Sequence, residues 1–196
     1  EQIVPVDIVT RKGTTQFVTD EHVKADTTME TLGKMRAAFK KDGLVTAGNA
    51  PGVNDGAGAV VLASGDAVKS AGLKPLARLV GYAHAGVEPT IMGIGPVPAT
   101  KLALQRAGLK IADLDVIESN EAFAAQACAV VKELGLDPAK VNPNGSGISL
   151  GHPIGATGAI LTVKALYELE RTQKRYALVT MCIGGGQGIA AVIERM

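Results

Sequence analysis

Short apolar runs alternate with stretches of helical spacing through most of the chain. The predicted strands cover 57–63, 76–82, 114–117, 176–181 and 188–193. The first of these, AGAVVLA, is continuously apolar, which is typical of a strand buried on both faces. A glycine-rich turn joins the last two. Strands that alternate with helices and end in a hairpin predict an α/β fold, with a mixed sheet and helices on both of its faces.

The polar stretches between these strands predict helices at 65–72, 98–107, 120–134 and 155–171. The third has one apolar face at helical spacing, made of Phe123, Ala127, Val130, Val131 and Leu134. The fourth should turn Ile160, Val163, Leu166 and Leu169 inward and Lys164, Glu168 and Arg171 outward. Gly72 is expected to end the first helix, and Gly108 follows the second and is expected to end it.

The first 50 residues are polar and threonine-rich, and they show no sustained apolar period after an opening strand near residues 3–9. We therefore divide the chain into a surface excursion over 1–50 and a folded α/β domain over 51–196. The chain begins at Glu1 inside strand-forming sequence, so we expect this start to be an internal cut.

Composition narrows the range of functions. The formal net charge is +1 with both signs well mixed, so no basic stripe for nucleic acid is present. No apolar run reaches the roughly 18 residues that a membrane span needs. The two cysteines have neither disulfide nor metal spacing, and we expect no metal, no cofactor and a reducing, cytoplasmic setting.

Asn120 stands where a predicted strand ends and a predicted helix begins, which is a favoured place for sites in α/β folds. The alternative is that Asn120 is only a helix N-cap and that Glu121 complements the helix dipole.

His152 lies between Gly151 and Pro153, inside a glycine-rich stretch that precedes the last helix. Glycine permits close approach of the backbone to a ligand, but no Gly-Lys-Ser/Thr follows, which excludes a Walker A loop. The alternative is a turn histidine with its hydrogen bonds satisfied.

Cys182 follows the strand that leads into Gly184-Gly-Gly-Gln-Gly188. A thiol there can be exposed beside backbone N–H groups that bind an anion, and the alternative is a small buried residue next to a tight turn. Cys128 lies in mid-helix among alanines, so we expect it in the core. An Asn, a His and a Cys at element ends suit acyl or carbanion chemistry.

The chain resembles the thiolase family over essentially its whole length. Three blocks carry the likeness in the family's usual order, NEAF at 120–123, GHPIG at 151–155 and CIGGGQG at 182–188. TAGN at 46–49, NDG at 54–56 and MGIGP at 92–96 are also thiolase-like. The nearest likeness is to bacterial β-ketothiolases of the acetyl-CoA acetyltransferase type. The resemblance implies one half of a layered α-β-α-β-α body.

The resemblance also implies roles for the three side chains. Cys182 matches the thiol that takes a proton from the methyl group of acetyl-CoA and returns one in thiolysis. His152 matches the residue that activates the acylated cysteine and donates to a thioester oxygen. Asn120 matches the residue that holds a water at the same oxygen, and the Gly184 N–H matches part of a second oxyanion hole. The acylated cysteine itself belongs to the family's N-terminal half.

The family's pantetheine arm passes positions that match Phe39, Ala47, Met92, Ala122 and Phe123. Coenzyme A is thereby implied as a substrate, and the N-terminal half and further copies in a homodimer or homotetramer as partners. Fatty acid metabolism, including β-oxidation, is the implied setting. Pro51 departs from the family, since many relatives carry there a Ser that contacts CoA.

Two other functions stay open at this point. The chain also fits a CoA-thioester-binding or scaffold subunit that kept the fold, because no motif for the acylated cysteine occurs in it. It also fits a hydrolase in which Cys182 and His152 act alone. A thiolase that cleaves 3-oxoacyl-CoA or condenses two acyl-CoA molecules is the leading hypothesis.

Overall fold

A computed structural model describes residues 2–196. The strands are β1 (Val6–Thr10), β2 (Gly13–Phe17), β3 (Ala77–Gly86), β4 (Val116–Ser119), β5 (Tyr176–Ile183) and β6 (Gln187–Arg195). The α-helices are α1 (Met29–Gly33), α2 (Gly65–Ala71), α3 (Pro96–Ala107), α4 (Ala124–Leu134), α5 (Gly147–Leu150) and α6 (Thr157–Thr172). Short 3-10 helices cover Pro89–Ile94, Ile111–Asp113 and Pro138–Lys140.

The main sheet has the strand order β3-β6-β5-β4. β6 pairs antiparallel with both β3 and β5, whereas β4 runs parallel to β5. One apolar cluster packs α3 and α4 on one face, and it includes Leu104, Val130 and Leu178. A second cluster packs α6 on the other face, and it includes Val116 and Leu161. The predicted mixed sheet with helices on both faces is confirmed.

The helix predicted from residue 120 begins four residues later, at Ala124. The Asn120 N–H donates to the Thr180 carbonyl at 3.0 Å, so Asn120 extends the β4–β5 alignment and does not cap α4. The cap position is occupied by Phe123, whose backbone is extended and whose side chain makes no capping bond. The N-cap interpretation of Asn120 is therefore wrong, and a position at the end of a strand is correct.

The prediction that Cys128 lies in the core is also wrong, because Cys128 is exposed. The buried side chains of α4 are Val130 and Leu134. At about 100° per residue, Cys128 points roughly 160° away from Val130, toward the opposite side of the helix.

Lys164 and Glu168 were predicted to face outward from α6, but both are buried. The Lys164 Nζ donates to the carbonyl of Asn144 and to the side chain of Gln2, both at 3.1 Å. Glu168 accepts from the Asn144 amide at 2.7 Å and pairs with Arg171. The loop before α5 covers this side of the helix and supplies polar partners, which helical periodicity cannot reveal.

The strand predicted at 57–63 is wrong for this chain, because the segment forms no strand and its side chains are exposed. Within residues 2–196 it runs past α6 without a neighbouring strand, and Val61 is 95% exposed. A strand requires a partner for its backbone hydrogen bonds, so an apolar run alone does not produce one.

The first 50 residues hold more structure than the sequence indicated. β1 and β2 form an antiparallel hairpin with Val6 opposite Phe17, and every residue of both strands is exposed. The opening strand was predicted, whereas β2 and α1 were not. No helix within residues 2–196 has the length and hydropathy needed to span a membrane.

Candidate active site

Asn120 and His152 meet at the C-terminal end of β4, although they are 32 positions apart in the chain. The Asn120 Nδ2 lies 3.4 Å from the His152 Nε2, and Asn120 is fully buried. The other ring nitrogen of His152, Nδ1, lies 2.7 Å from the hydroxyl of Thr157 at the start of α6. The imidazole is thus held between the end of a strand and the first turn of a helix.

The backbone at His152 is fixed by the glycine that precedes it, Gly151, and by contacts with the loop that contains Gly52 and Asn54. Gly151 has a φ of +102°, and a Cβ there would lie 2.5 Å from the Asn54 Oδ1. The His152 N–H points toward the Gly52 carbonyl at 3.2 Å and the Asn54 Oδ1 at 3.3 Å. These contacts fix the backbone of His152, and they leave no room for a side chain at position 151. Glycine is therefore required as the first residue of the GHPIG block.

His152 is a neutral group in this environment, because burial lowers the pKa of its imidazole below the usual value. When the Thr157 hydroxyl donates to Nδ1, the single ring proton lies on Nε2. The Nε2–H of His152 and the Nδ2–H of Asn120 then converge on one space. Two neutral donors of this kind suit an oxygen on which negative charge develops.

Cys182 lies near the end of β5, opposite Gly188 of β6. The Asn120 N–H donates to the Thr180 carbonyl of the neighbouring parallel strand, two residues before Cys182, so the cysteine and the Asn–His pair lie at the C-terminal ends of β4 and β5. The thiol is buried, and burial raises its pKa. The described residues therefore favour the protonated thiol at neutral pH.

The turn after Cys182 is held by backbone contacts with the segment that contains Val87 and Gly95. The Val87 N–H donates to the Gly186 carbonyl at 2.7 Å. A Cβ on Gly95 would lie 2.4 Å from the Gln187 carbonyl oxygen, and one on Gly188 would lie 2.0 Å from the Gly95 carbonyl carbon. Only two glycines in backbone contact allow this packing. Gly184 itself is exposed at the tip of the turn.

Four of the five predicted CoA positions gather around the start of α4. The Ala124 N–H donates to the Asn49 carbonyl at 2.9 Å, which brings the loop of Ala47 next to Ala122 and Phe123. The Gln126 side chain donates to the Gly93 carbonyl at 3.1 Å, which brings Met92 to the same place. Phe39 lies one residue beyond the Ala38–Val45 backbone bond and is 78% exposed.

Sequence reasoning missed three features of this site. Thr157 orients His152, and a hydroxyl five residues after a histidine was the only signal for it. Glu118 is fully buried, and neither carboxyl oxygen has a partner among residues 2–196. A cavity of about 170 Å³ lies beside Asn120, and its wall includes Ser146 and Lys164. No cluster of His, Cys, Asp or Glu within residues 2–196 could hold a metal ion.

Two family models match this chain. The thiolase C-terminal domain matches residues 73–195, and the thiolase N-terminal domain matches residues 1–66. The two matches meet between residues 66 and 73, later than the division near residue 50 that we drew from composition. That earlier division stays a prediction.

Full-length relatives are about twice as long as this chain. The β-ketothiolase BktB of Cupriavidus necator is 70% identical over all of this chain and half of its own length. The crystal structure of the Bacillus anthracis acetyl-CoA acetyltransferase matches with a TM-score of 0.93 and 52% identity, over 100% of this chain and 50% of that one.

A third relative was crystallised with coenzyme A. The human mitochondrial 3-ketoacyl-CoA thiolase in complex with CoA matches with a TM-score of 0.86 and 48% identity, over 97% of this chain and 48% of that one. The chain thus spans about half the length of the relatives it matches. On these matches and on the site geometry, the chain belongs to the thiolase family.

Proposed function

We propose that this chain, together with an N-terminal thiolase half, is an acyltransferase that cleaves 3-oxoacyl-CoA with CoA or condenses two acyl-CoA molecules. The observation that carries the proposal is the convergence of the Asn120 amide and the His152 imidazole, 3.4 Å apart, at the strand ends where Cys182 also lies. Family membership supplies the reaction class.

The chemistry of condensation follows from these groups. In the fraction of molecules in which Cys182 is ionised, its thiolate takes a proton from the methyl group of an acyl-CoA, and the electron pair of the C–H bond moves onto the thioester oxygen as an enolate. The His152 Nε2–H, and Asn120 directly or through a water, stabilise that oxygen. The enolate carbon then attacks the acyl carbon on the cysteine of the other half, and that cysteine leaves as a thiolate. Losing one such donor costs about 3 kcal/mol.

Thiolysis runs through the same groups in reverse. The acylable cysteine attacks the 3-oxo carbon, the carbon–carbon bond breaks, and Cys182 returns its proton to the enolate carbon. CoA then takes the acyl group from the cysteine. The raised pKa of Cys182 suits this step, because the thiol carries its proton at neutral pH. The physiological direction depends on concentrations.

Coenzyme A is proposed to approach along the start of α4 and past Phe39, over side chains that are exposed or half-buried. Phe39, Met92 and Phe123 offer apolar surface to a pantetheine arm, with Ala47 and Ala122 beside them. The relative crystallised with CoA supports this choice of ligand.

The N-terminal half is the proposed partner, and the assembled enzyme is proposed to form homodimers or homotetramers in the cytoplasm. The exposed apolar run at 60–62 supports such a partner, because the match to the thiolase N-terminal domain extends to residue 66. The run would gain a neighbouring strand from the rest of that domain.

The hydrolase alternative is weaker than the thiolase. Burial raises the pKa of Cys182, whereas a nucleophilic cysteine needs a lowered one. Among residues 2–196 no hydrogen bond joins Cys182 to His152.

The test uses a joined enzyme, which we define as one polypeptide carrying this chain behind the N-terminal half of the Cupriavidus necator β-ketothiolase. We expect it to cleave acetoacetyl-CoA only when CoA is added, and Cys182→Ser to abolish turnover. Cys128→Ser is the matched control and should retain activity, because that thiol is exposed on α4 away from the strand edge. Tight CoA binding without turnover would support a binding subunit instead.

A further inference from the structure

Glu118 is the most unusual buried group outside the residues assigned so far. It is 0% exposed, and neither Oε1 nor Oε2 has a hydrogen-bond partner among the described residues. A buried ionised carboxylate without partners is strongly disfavoured, whereas a protonated carboxyl needs one acceptor for its O–H. Because no acceptor among the described residues lies at hydrogen-bond distance, the O–H should reach its acceptor through a water.

Strand geometry places the acceptor. Glu118 belongs to β4, and Asn120 continues the same alignment through its bond to Thr180. Residues two apart on a strand point to the same face, about 6.6 Å apart along the chain. Val116 packs against α6, so Glu118 and Asn120 face α6 as well. The Asn120 Oδ1 is also buried without a partner among residues 2–196.

The Asn120 amide has two orientations, and only one presents Nδ2 to the space beside the His152 Nε2. A donor at Oδ1 selects that orientation, whereas an ionised carboxylate at Oδ1 repels it. We propose that protonated Glu118 donates through one bridging water to the Asn120 Oδ1 and is thereby a positioning residue for the Asn120–His152 pair. This inference deepens the proposed function and rests on it for its effect on turnover.

The charges around Glu118 act on its pKa in both directions, since Lys164 lowers the pKa whereas Glu168 and Glu121 raise it. From α6 it faces Lys164 and Glu168, and Glu121 follows it along the chain. The Lys164 amine donates to Asn144 and Gln2, and no salt bridge joins it to Glu118 within residues 2–196. β5 presents apolar Val179 opposite Glu118. Burial, the largest cause, raises the pKa of Glu118 to about 7.

Ser146 is the rival donor and provides a matched control. Its hydroxyl is buried without a partner among the described residues and lines the same cavity as Asn120. A Cβ on the next residue, Gly147, would lie 3.3 Å from the Asn120 Oδ1. A serine hydroxyl does not titrate in this range, so Ser146 predicts no dependence on pH near 7.

The kinetic test compares three variants of the joined enzyme. In the wild type, the kcat for acetoacetyl-CoA cleavage should fall about tenfold above pH 7 as Glu118 ionises. Glu118→Gln keeps a donor that cannot ionise, so its kcat should stay within about threefold and lose this fall. Glu118→Ala should lower kcat by about 10- to 100-fold with KM within twofold. Ser146→Ala should keep the wild-type pH profile.

An infrared readout separates this inference from the proposed function. The C=O band of protonated Glu118 and the amide band of Asn120, assigned by Glu118→Gln and Asn120→Asp, should shift with one midpoint as pH rises. A joined enzyme without turnover that shows this common midpoint would contradict the proposed function and support the positioning contact. Separate midpoints, no carboxyl band, or an alkaline fall that survives in Glu118→Gln would overturn the contact.

Discussion

Gly95→Ala tests whether backbone packing positions the Cys182 thiol. A Cβ at residue 95 would lie 2.4 Å from the Gln187 carbonyl oxygen and 2.7 Å from the Gly188 nitrogen. Ordinary contact begins near 3.4 Å, so the β6 backbone has to move by about 1 Å. Gly188 is the cross-strand neighbour of Cys182, which passes the displacement to the thiol.

The expected loss follows from that displacement. Overpacking of this size costs about 1–3 kcal/mol of stability, and a misplacement of about 1 Å near reacting groups costs on the order of 100-fold in rate. Gly95 has helical φ and ψ of −46° and −37°, so alanine fits the local backbone. The destabilisation therefore comes from the contact of the added Cβ with Gln187 and Gly188. We expect kcat for acetoacetyl-CoA cleavage by the joined enzyme to fall 10- to 100-fold.

Gly108→Ala is the matched control at the other end of α3. Gly108 has a φ of +67° with nothing within 4 Å of an added Cβ, so alanine strains the helix end without touching the site. It should lower the unfolding temperature through a cost of about 1 kcal/mol and leave kcat within twofold. Thermal unfolding and steady-state kinetics on both variants separate the effects. A Gly95→Ala enzyme with wild-type kcat would refute the positioning argument.

Three further predictions follow from the same structure. Pro51→Ser should restore a hydrogen bond to CoA worth about 1 kcal/mol and lower the KM for CoA about fivefold in the joined enzyme, and an unchanged KM would place CoA elsewhere. In a Cys128→Ser background, alkylation of Cys182 by iodoacetamide, followed by mass spectrometry, should accelerate as pH rises through and beyond the ordinary thiol range, because burial raises the pKa of Cys182. An alkylation rate that does not change with pH would contradict this prediction. Val61→Lys should reduce aggregation of the isolated chain in sedimentation and weaken its binding to the N-terminal half, because Val61 is 95% exposed in this chain and is proposed to be covered by that half.

Much of the fold could be predicted because local signals and tertiary packing agree. The hairpin of β5 and β6 and the end of α3 at Gly108 follow from alternation and from glycine in the left-handed region. The strand predicted at 57–63 was wrong because an apolar sequence does not indicate which part of the protein supplies its neighbouring strand. Strand formation depends on that neighbour.

The candidate site was predictable where reactive side chains stand at element ends, as Asn120, His152 and Cys182 do. Their spatial grouping needed the structure, and their roles stay predictions. The environment of each group was not predictable. Burial of Glu118, and the rise in the pKa of Cys182, depend on what packs against the strand from distant parts of the chain. Charge and spacing in the sequence do not indicate how strongly Glu118 and Cys182 are desolvated in the folded chain.

The central claim is that this chain supplies the proton-transferring thiol and the enolate site, while the other half supplies the acylated cysteine. The most direct measurement is mass spectrometry of the joined enzyme quenched after mixing with acetyl-CoA. The account predicts one acetyl group on a cysteine peptide from the N-terminal half and none on Cys182. An acetyl group on Cys182, in the joined enzyme or in this chain alone, would contradict the account and make Cys182 the nucleophile.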